Sequence, residues 1–343
     1  MLLSDEEKQM TEVLAKNIDA LNKSCNVFQA GIGYKVKGGE VTDQFVLVFF
    51  VTKKMDSITL ASKNISDVSE FAGGFQTDVI EMPNGFRPLA DDTRYRPFEG
   101  GVATIRFGTN ATGTLGLVVR RRGEPRALYG LTNNHVGANV DIKGMLPAAA
   151  SRWDPWVQPG AHGGGSVRDD VIAKLFKWNK LIPRSPYYTR IQKLNYYDVA
   201  IGKITRDIMS SNHAVPNSIM NIGAVGGIEE PKTKDFVQKR GRTTELTNGQ
   251  IIHKIPFPRV VTVDYGYQCD FTDQFIITGT VTGIPFSDEG DSGSVVVKAE
   301  KNKETGKFPI VALLFAGGID SKGRDYTIAS PIKKIADDFK LII

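Results

Sequence analysis

The chain has 343 residues, 41% of them hydrophobic, which suits two or three domains with real cores. A net charge of +5 and a pI near 9.0 are too mild to indicate a nucleic-acid binder, and no stretch approaches the ~20 apolar residues of a membrane span. Two cysteines, Cys25 and Cys269, cannot build a disulfide framework, and Met1-Leu2-Leu3 runs straight into Ser4-Asp5-Glu6-Glu7 instead of an apolar leader, so a reducing, cytoplasmic compartment is expected.

Ser4 and Glu7 have capping-box spacing, and Met10, Val13, Leu14, Ile18 and Leu21 then recur on one face, which predicts a helix to about Lys23. That stripe is expected to dock on its own domain. Strands are predicted over 27–36 and 45–51, with a turn at Lys37-Gly38-Gly39-Glu40 between them. A short helix or loop follows over 56–72, then a short strand at 77–81. These elements form a small N-terminal α+β module, residues 1–90, which carries no catalytic constellation.

From Gly100 the pattern changes to short apolar runs broken by glycine. Strands are predicted over 102–107, 113–121, 126–132, 171–175 and 198–204. Arg120-Arg121-Arg122 before Gly123-Glu124-Pro125 reads as a solvated hairpin tip. A glycine-bearing linker with Gly223, Gly226 and Gly227 follows. Further strands are predicted over 236–240, 250–255, 260–263, 274–278, 294–298 and 309–315, with Asn248-Gly249 as a hairpin turn, and a closing helix over 332–341. Many short strands with regular turn signals predict a mainly β fold of two β-barrels, residues 98–205 and 206–343. No internal repeat of solenoid length is apparent.

Three boundaries in this pattern carry chemistry. Thr132-Asn133-Asn134-His135-Val136 puts a histidine at the end of an apolar strand, and Asp198-Val199-Ala200-Ile201 opens another strand with an aspartate. Gly290-Asp291-Ser292-Gly293-Ser294 sets a serine between glycines before Val295-Val296-Val297. Each has a duller reading alone: a strand-end histidine, a turn-capping aspartate, a turn serine. In the order His…Asp…Ser they match a triad in which Ser292 attacks, His135 takes its proton and Asp198 orients the imidazole. The N–H groups of Gly290 and Ser292 would then form the oxyanion hole. Asp291 is expected to hold that loop through a buried cation, either Lys239 or Arg242. His162, His213 and His253 sit in no ligand spacing, so no metal or other cofactor is expected.

Those three motifs resemble the trypsin-like, chymotrypsin-fold serine peptidases. Gln158-Pro159-Gly160, Gly164-Gly165, Gly241-Arg242-Thr243-Thr244 and Leu313-Leu314-Phe315-Ala316-Gly317-Gly318 narrow the resemblance to an intracellular bacterial branch related to the plant Narrow leaf proteins. Gly31-Ile32-Gly33-Tyr34-Lys35 and Thr77-Asp78-Val79-Ile80 look like that branch's N-terminal extension. The resemblance implies a double six-stranded barrel with the site between its halves, and a serine endopeptidase acting on polypeptides. It also implies that Phe315, Ala316 and Gly317 pair with the substrate backbone, and that Phe286 stands near the base of the pocket for the residue before the scissile bond. A phenylalanine there suggests a small or apolar side chain. Ser294 departs from the usual second glycine, and no activation-cleavage motif precedes the barrels. The alternative is a catalytically idle or partner-activated binding scaffold on the same fold. A homo-oligomer or a regulatory partner is left open.

Overall fold

The computed structural model describes residues 4–38, 40–81, 90–109, 112–143, 150–160, 163–184, 194–256, 259–262, 268–281, 284–321 and 324–343. His162 and the side chain of Ile18 lie outside the described set. The chain forms two units, Met1–Pro88 and Leu89–Ile343.

In the first unit the helix α1 (Asp5–Ser24) opens on the predicted capping box. Ser4 Oγ accepts the Glu7 N–H at 3.1 Å, and the Glu7 carboxylate accepts the Ser4 N–H at 2.6 Å. Strands β1 (Val27–Lys37) and β2 (Glu40–Val51) pair antiparallel, and β3 (Thr77–Glu81) lies parallel to β2. A parallel neighbour needs a crossover, which α2 (Ser57–Ser62) and a 3₁₀ turn at Val68–Phe71 supply. Met10 and Leu21 of α1 are buried with Leu47, Phe49 and Val51, so the helical stripe and one strand face make this unit's core.

The second unit opens with β4 (Phe98–Gly100) and rolls a first sheet from β5 (Val102–Arg106), β6 (Gly113–Leu115), β7 (Leu117–Arg121), β8 (Glu124–Thr132), β9 (Pro155–Val157), β10 (Val171–Trp178) and β11 (Ala200–Ile204). Its order runs β7-β8-β11-β10-β9-β5-β6. The two ends of that order, β6 and β7, are consecutive in the chain and separated by Gly116 alone. The sheet therefore curls back on itself around Trp156, Ile172, Leu175 and Val118.

After α4 (Arg206–Ser210) come β12 (Ala214–Ile219) and β13 (Gly223–Ile228), where the sequence predicts a linker. Pro216 and three glycines hide these strands from an alternation test. Parallel pairing of β12 with β4 holds them in place. The second barrel is closed. Strands β14 (Phe236–Gly241), β15 (Glu245–Ile255), β18 (Gln274–Gly279), β21 (Asp325–Pro331), β20 (Phe308–Ile319) and β19 (Val295–Lys298) pair in that order, β19 pairs back to β14, and β13 adds to β20. A small hairpin, β16 (Arg259–Thr262) with β17 (Gln268–Phe271), stands beside it. Helix α5 (Ile332–Phe339) buries Ile332, Ile335, Ala336 and Phe339 on the core shared with Leu117, Leu131 and Leu313, and β22 (Leu341–Ile342) ends on β7. This is the mainly β, chymotrypsin-like two-barrel architecture. Among the described residues no helix is long and apolar enough to cross a membrane.

One turn differs from expectation. Asn248-Gly249 lies inside β15, paired with Gln238 and Val237, and the β14–β15 hairpin turns instead at Gly241–Glu245. Gly249 serves the core: a Cβ there would stand 2.5 Å from the Phe286 ring. The turn is set by Asp291, whose carboxylate accepts the Thr243 and Thr244 N–H groups at 2.8 and 3.1 Å.

Candidate active site

Strand β8 ends at Thr132, and the one-turn helix α3 (Asn134–Gly137) starts immediately. The buried Trp156 indole donates to the Gly137 carbonyl at 2.8 Å and pins this helix to the first barrel. Asp198, at the mouth of β11, is fully buried and spends both oxygens on the same turn. Its Oδ1 accepts the Asn134 and His135 N–H groups at 2.5 and 3.3 Å, and its Oδ2 stands 2.7 Å from His135 Nδ1. The Asn133 amide donates to the Asp198 carbonyl at 2.7 Å. An ionised carboxylate only accepts, so Nδ1 carries the proton and Nε2 is left as the basic nitrogen.

Ser292 comes from the second barrel, in the turn before β19. Its Oγ lies 3.5 Å from the Phe315 carbonyl oxygen. The two loops meet across β6. The Thr114 N–H donates to the Ser292 carbonyl at 2.8 Å, and a Cβ on Gly113 would come 2.4 Å from Val136 and 2.9 Å from the Ser292 oxygen. Gly293 is tighter still. At φ +96, a Cβ would stand 2.2 Å from the Thr114 oxygen and 2.3 Å from Thr132 Oγ1. The structure thus brings the histidine strand end and the serine turn into contact through Thr114.

The N–H groups of this turn divide into two sets. Those of Asp288 and Glu289 go to carboxylate oxygens of Asp291 and Asp288, those of Asp291 and Ser294 to the carbonyls of Asp288 and Asp291, and that of Gly293 to the Leu314 carbonyl. Among the described residues, the N–H groups of Gly290 and Ser292 have no acceptor. Gly290 reaches this shape at φ +98, with Thr243 Oγ1 only 2.5 Å from where a Cβ would be. Ser294, in place of a glycine, is accommodated because its hydroxyl donates to the Asp291 carbonyl at 2.6 Å.

Asp291 is fully buried and meets Lys239 Nζ at 3.1 Å, also fully buried. Of the two cations left open by the sequence, it is Lys239 that pairs. Burial pushes the Lys239 ammonium below its usual range, and the Asp291 charge pulls it back. Arg242 instead reaches Asp92 at 3.4 Å. Behind the site, Cys269 is fully buried, and burial together with the Asp198 charge pushes its thiol up to about 12.

A cleft of about 290 Å³ opens beside Ser292, lined by Pro285, Ser287, Asp288, Glu289, Ala316 and Gly317 among others. Phe286, expected near its base, is instead fully buried in the second-barrel core with Val237 and Ile251. Its strand-like alternation with Pro285 and Ser287 turns the ring inward and leaves Ser287 facing the cleft. The Phe286 N–H donates to Asp325 at 2.9 Å and its carbonyl accepts from Thr247, which fixes that orientation. Ala316 and Gly317 do line the cleft. The Phe315 side chain turns away and packs on Phe271 with centroids 4.7 Å apart. Strand β20 pairs with β19 only as far as Leu313, while its pairing with β21 continues to Ile319. Leu314 still exchanges hydrogen bonds with Gly293 and Ser294 on the cleft side, and beyond it no backbone pairing is made on that edge among the described residues. A larger groove of about 640 Å³, lined by residues including Lys234, Asp235 and Phe236, contains none of the three motif residues.

No protein-family model matches the chain, and no curated protein matches its sequence. Solved structures similar in fold are serine proteases. Thermobifida fusca protease A is 17% identical, covering 71% of this chain and 97% of that one, with a TM-score of 0.43. Nocardiopsis protease is 13% identical over 71% and 98%, with a TM-score of 0.44. Cellulomonas bogoriensis chymotrypsin is 14% identical over 71% and 97%, with a TM-score of 0.43.

Proposed function

We propose that the chain is a serine endopeptidase working through Ser292, His135 and Asp198. Ser292 Oγ attacks the scissile carbonyl while His135 Nε2 takes its proton. Asp198 holds the ring through Nδ1 and stabilises the imidazolium that forms. The oxyanion receives the N–H groups of Gly290 and Ser292. His135 then returns the proton to the leaving amine, and water repeats the sequence to release the acyl group. One observation carries this reading: among the described residues, the N–H groups of Asp288, Glu289, Asp291, Gly293 and Ser294 all have acceptors, and the two that flank Asp291 do not. Such a pair, preorganised beside a hydroxyl, is what a developing oxyanion requires. An idle scaffold needs that loop closed off, and here Ser292 lines an open cleft.

The free edge of β20 at Ala316 and Gly317 would take the substrate backbone as an added strand. The cleft beside Ser292 would take the preceding side chain. Ser287 Oγ and Thr327 Oγ1 stand 2.5 Å apart, and a Cβ on Gly317 would touch Ser287 Oγ at 3.4 Å. Ser287, Ala316 and Gly317 give this wall only small side chains, and the substrate residue before the scissile bond is taken to be small or apolar. The test is hydrolysis of a peptide library read by mass spectrometry. Cleavage after Ala, Ser or similar residues, abolished in Ser292→Ala, is expected. A basic preference overturns the pocket reading, and cleavage that survives in Ser292→Ala overturns the mechanism.

A further inference from the structure

Residues 90–97 enter the second unit as a strap of charged groups that the proposed reaction does not use. The strap lies across the β14–β15 turn. The Asp91 N–H donates to the Arg242 carbonyl at 2.6 Å. The Asp91 carboxylate accepts from the buried Arg240 guanidinium and, at 2.9 Å, from the Tyr95 hydroxyl. Asp92 faces Arg242. Further along, Arg94 pairs with Asp170 at 2.7 Å, and Arg96 donates to the Gln158 carbonyl at 2.9 Å, so the strap is anchored at both ends.

The other side of the same turn is wired to the serine loop. The Arg242 N–H donates to Thr114 Oγ1 at 3.0 Å, and that hydroxyl donates to the Gly290 carbonyl at 3.0 Å. Thr243 Oγ1 donates to the Glu289 carbonyl at 2.6 Å, and Thr244 Oγ1 to Asp291 Oδ2 at 2.6 Å. Arg242 Nε lies 3.0 Å from where a Cβ on Gly290 would be. Every backbone group of Arg242 is thus taken, its carbonyl by the strap and its N–H by the hub that holds Gly290.

Charge makes the strap more than a covering. Lys239, Arg240 and Arg242 are three cations on one short stretch, with Lys239 and Arg240 at 0% and 2% exposure and Arg242 at 12%. Asp291 answers the first. Asp91 and Asp92 answer the other two. A buried guanidinium that loses its carboxylate is left uncompensated, and the backbone that carries it shifts toward water. Here that backbone is the support of Glu289, Gly290 and Asp291.

We infer that Asp91 and Asp92 are positioning residues for the oxyanion loop, acting through Arg240, Arg242 and the Gly241–Thr244 turn. This rests on the reading of the Gly290 and Ser292 N–H groups as the oxyanion hole. It ties the geometry of that hole to chain lying N-terminal to both barrels.

The test uses the full chain with Asp91→Asn, Asp91→Glu, Asp92→Asn and, as a control on the same strap, Arg94→Ala. Amide hydrogen exchange is followed on peptides covering 286–294, together with kcat and KM on the best library peptide. Asp91→Asn is expected to speed exchange of the Asp291, Gly293 and Ser294 amides by about tenfold, the size of one lost charge-assisted hydrogen bond. Its kcat should fall by a similar factor with KM nearly unchanged, because a misplaced hole weakens the transition state alone. Asp92→Asn should act in the same direction, Asp91→Glu should recover much of the loss, and Arg94→Ala should leave exchange in 286–294 as in wild type. Wild-type exchange there in Asp91→Asn overturns the inference, as does acceleration spread evenly over the second barrel. If the wild type hydrolyses nothing, exchange still decides the strap's role, and the failure belongs to the proposed activity.

Discussion

Replacing Lys239 with methionine isolates the charge that holds the serine loop. Methionine fills the stem's volume but removes the Nζ that meets Asp291 at 3.1 Å and the Glu245 carbonyl at 3.1 Å. The carboxylate is not left bare, because Thr243 N–H, Thr244 N–H, Thr244 Oγ1 and Asp288 N–H still donate to it. Losing one partner of a buried pair costs about 3–5 kcal/mol, and four surviving donors put this case near the lower end, about 3 kcal/mol. With a urea slope of about 3 kcal/mol/M, the unfolding midpoint should fall by about 1 M at unchanged slope. Adding Asp291→Asn should cost less than the two single changes summed, since the stranded charge is then gone. A midpoint within about 0.2 M of wild type for Lys239→Met, well below the slope-based shift, would refute the pairing as a support of the loop.

Three further outcomes follow from the geometry. Gly293→Ala meets both a positive φ and backbone oxygen at 2.2 Å, so it should lower the melting temperature by roughly 6–12 °C, whereas Gly318→Ala, with open space around it, should change it little. Thr327→Gly empties the buried space behind Ser287, which Thr327 hydrogen-bonds at the cleft wall, and should raise kcat/KM for Phe relative to Ala by about tenfold in matched peptides. Burial pushes the Asp170 carboxyl up, but the hydrogen bond from Arg94 and the Ser166 N–H, with the Arg94 and Arg96 charges, holds it below its usual range overall. A depressed carboxyl contributes stability that is present above its unfolded value near ~3.9 and lost as pH falls through the folded one. Asp170→Asn should therefore lower stability at pH 7 and flatten its decline below about pH 4, read by urea unfolding at each pH.

The barrels and the three motif residues were legible because strands, turns and strand-end polar residues are local signals. Strands β12 and β13 were not, because Pro216 and Gly223, Gly226 and Gly227 break the alternation while parallel neighbours hold them in place. Asn248-Gly249 carries a local hairpin signal that the Phe286 ring and the Asp291 carboxylate override. The resemblance puts Phe286 at the pocket, but a motif match does not say which way a side chain points, and the ring turns into the barrel core. Thr114 and the Asp91–Asp92 strap carry no local signature at all. Their roles exist only once residues more than a hundred positions apart are in contact.

Everything proposed for the reaction depends on Ser292 sitting in a preorganised site fit to attack a carbonyl. Labelling by a fluorophosphonate serine probe, with the adduct mapped by mass spectrometry, tests it most directly. A single adduct on Ser292 is expected in the wild type, none in Ser292→Ala and almost none in His135→Ala. A folded wild type that takes no label, or a label that persists in His135→Ala at the wild-type rate, would contradict it.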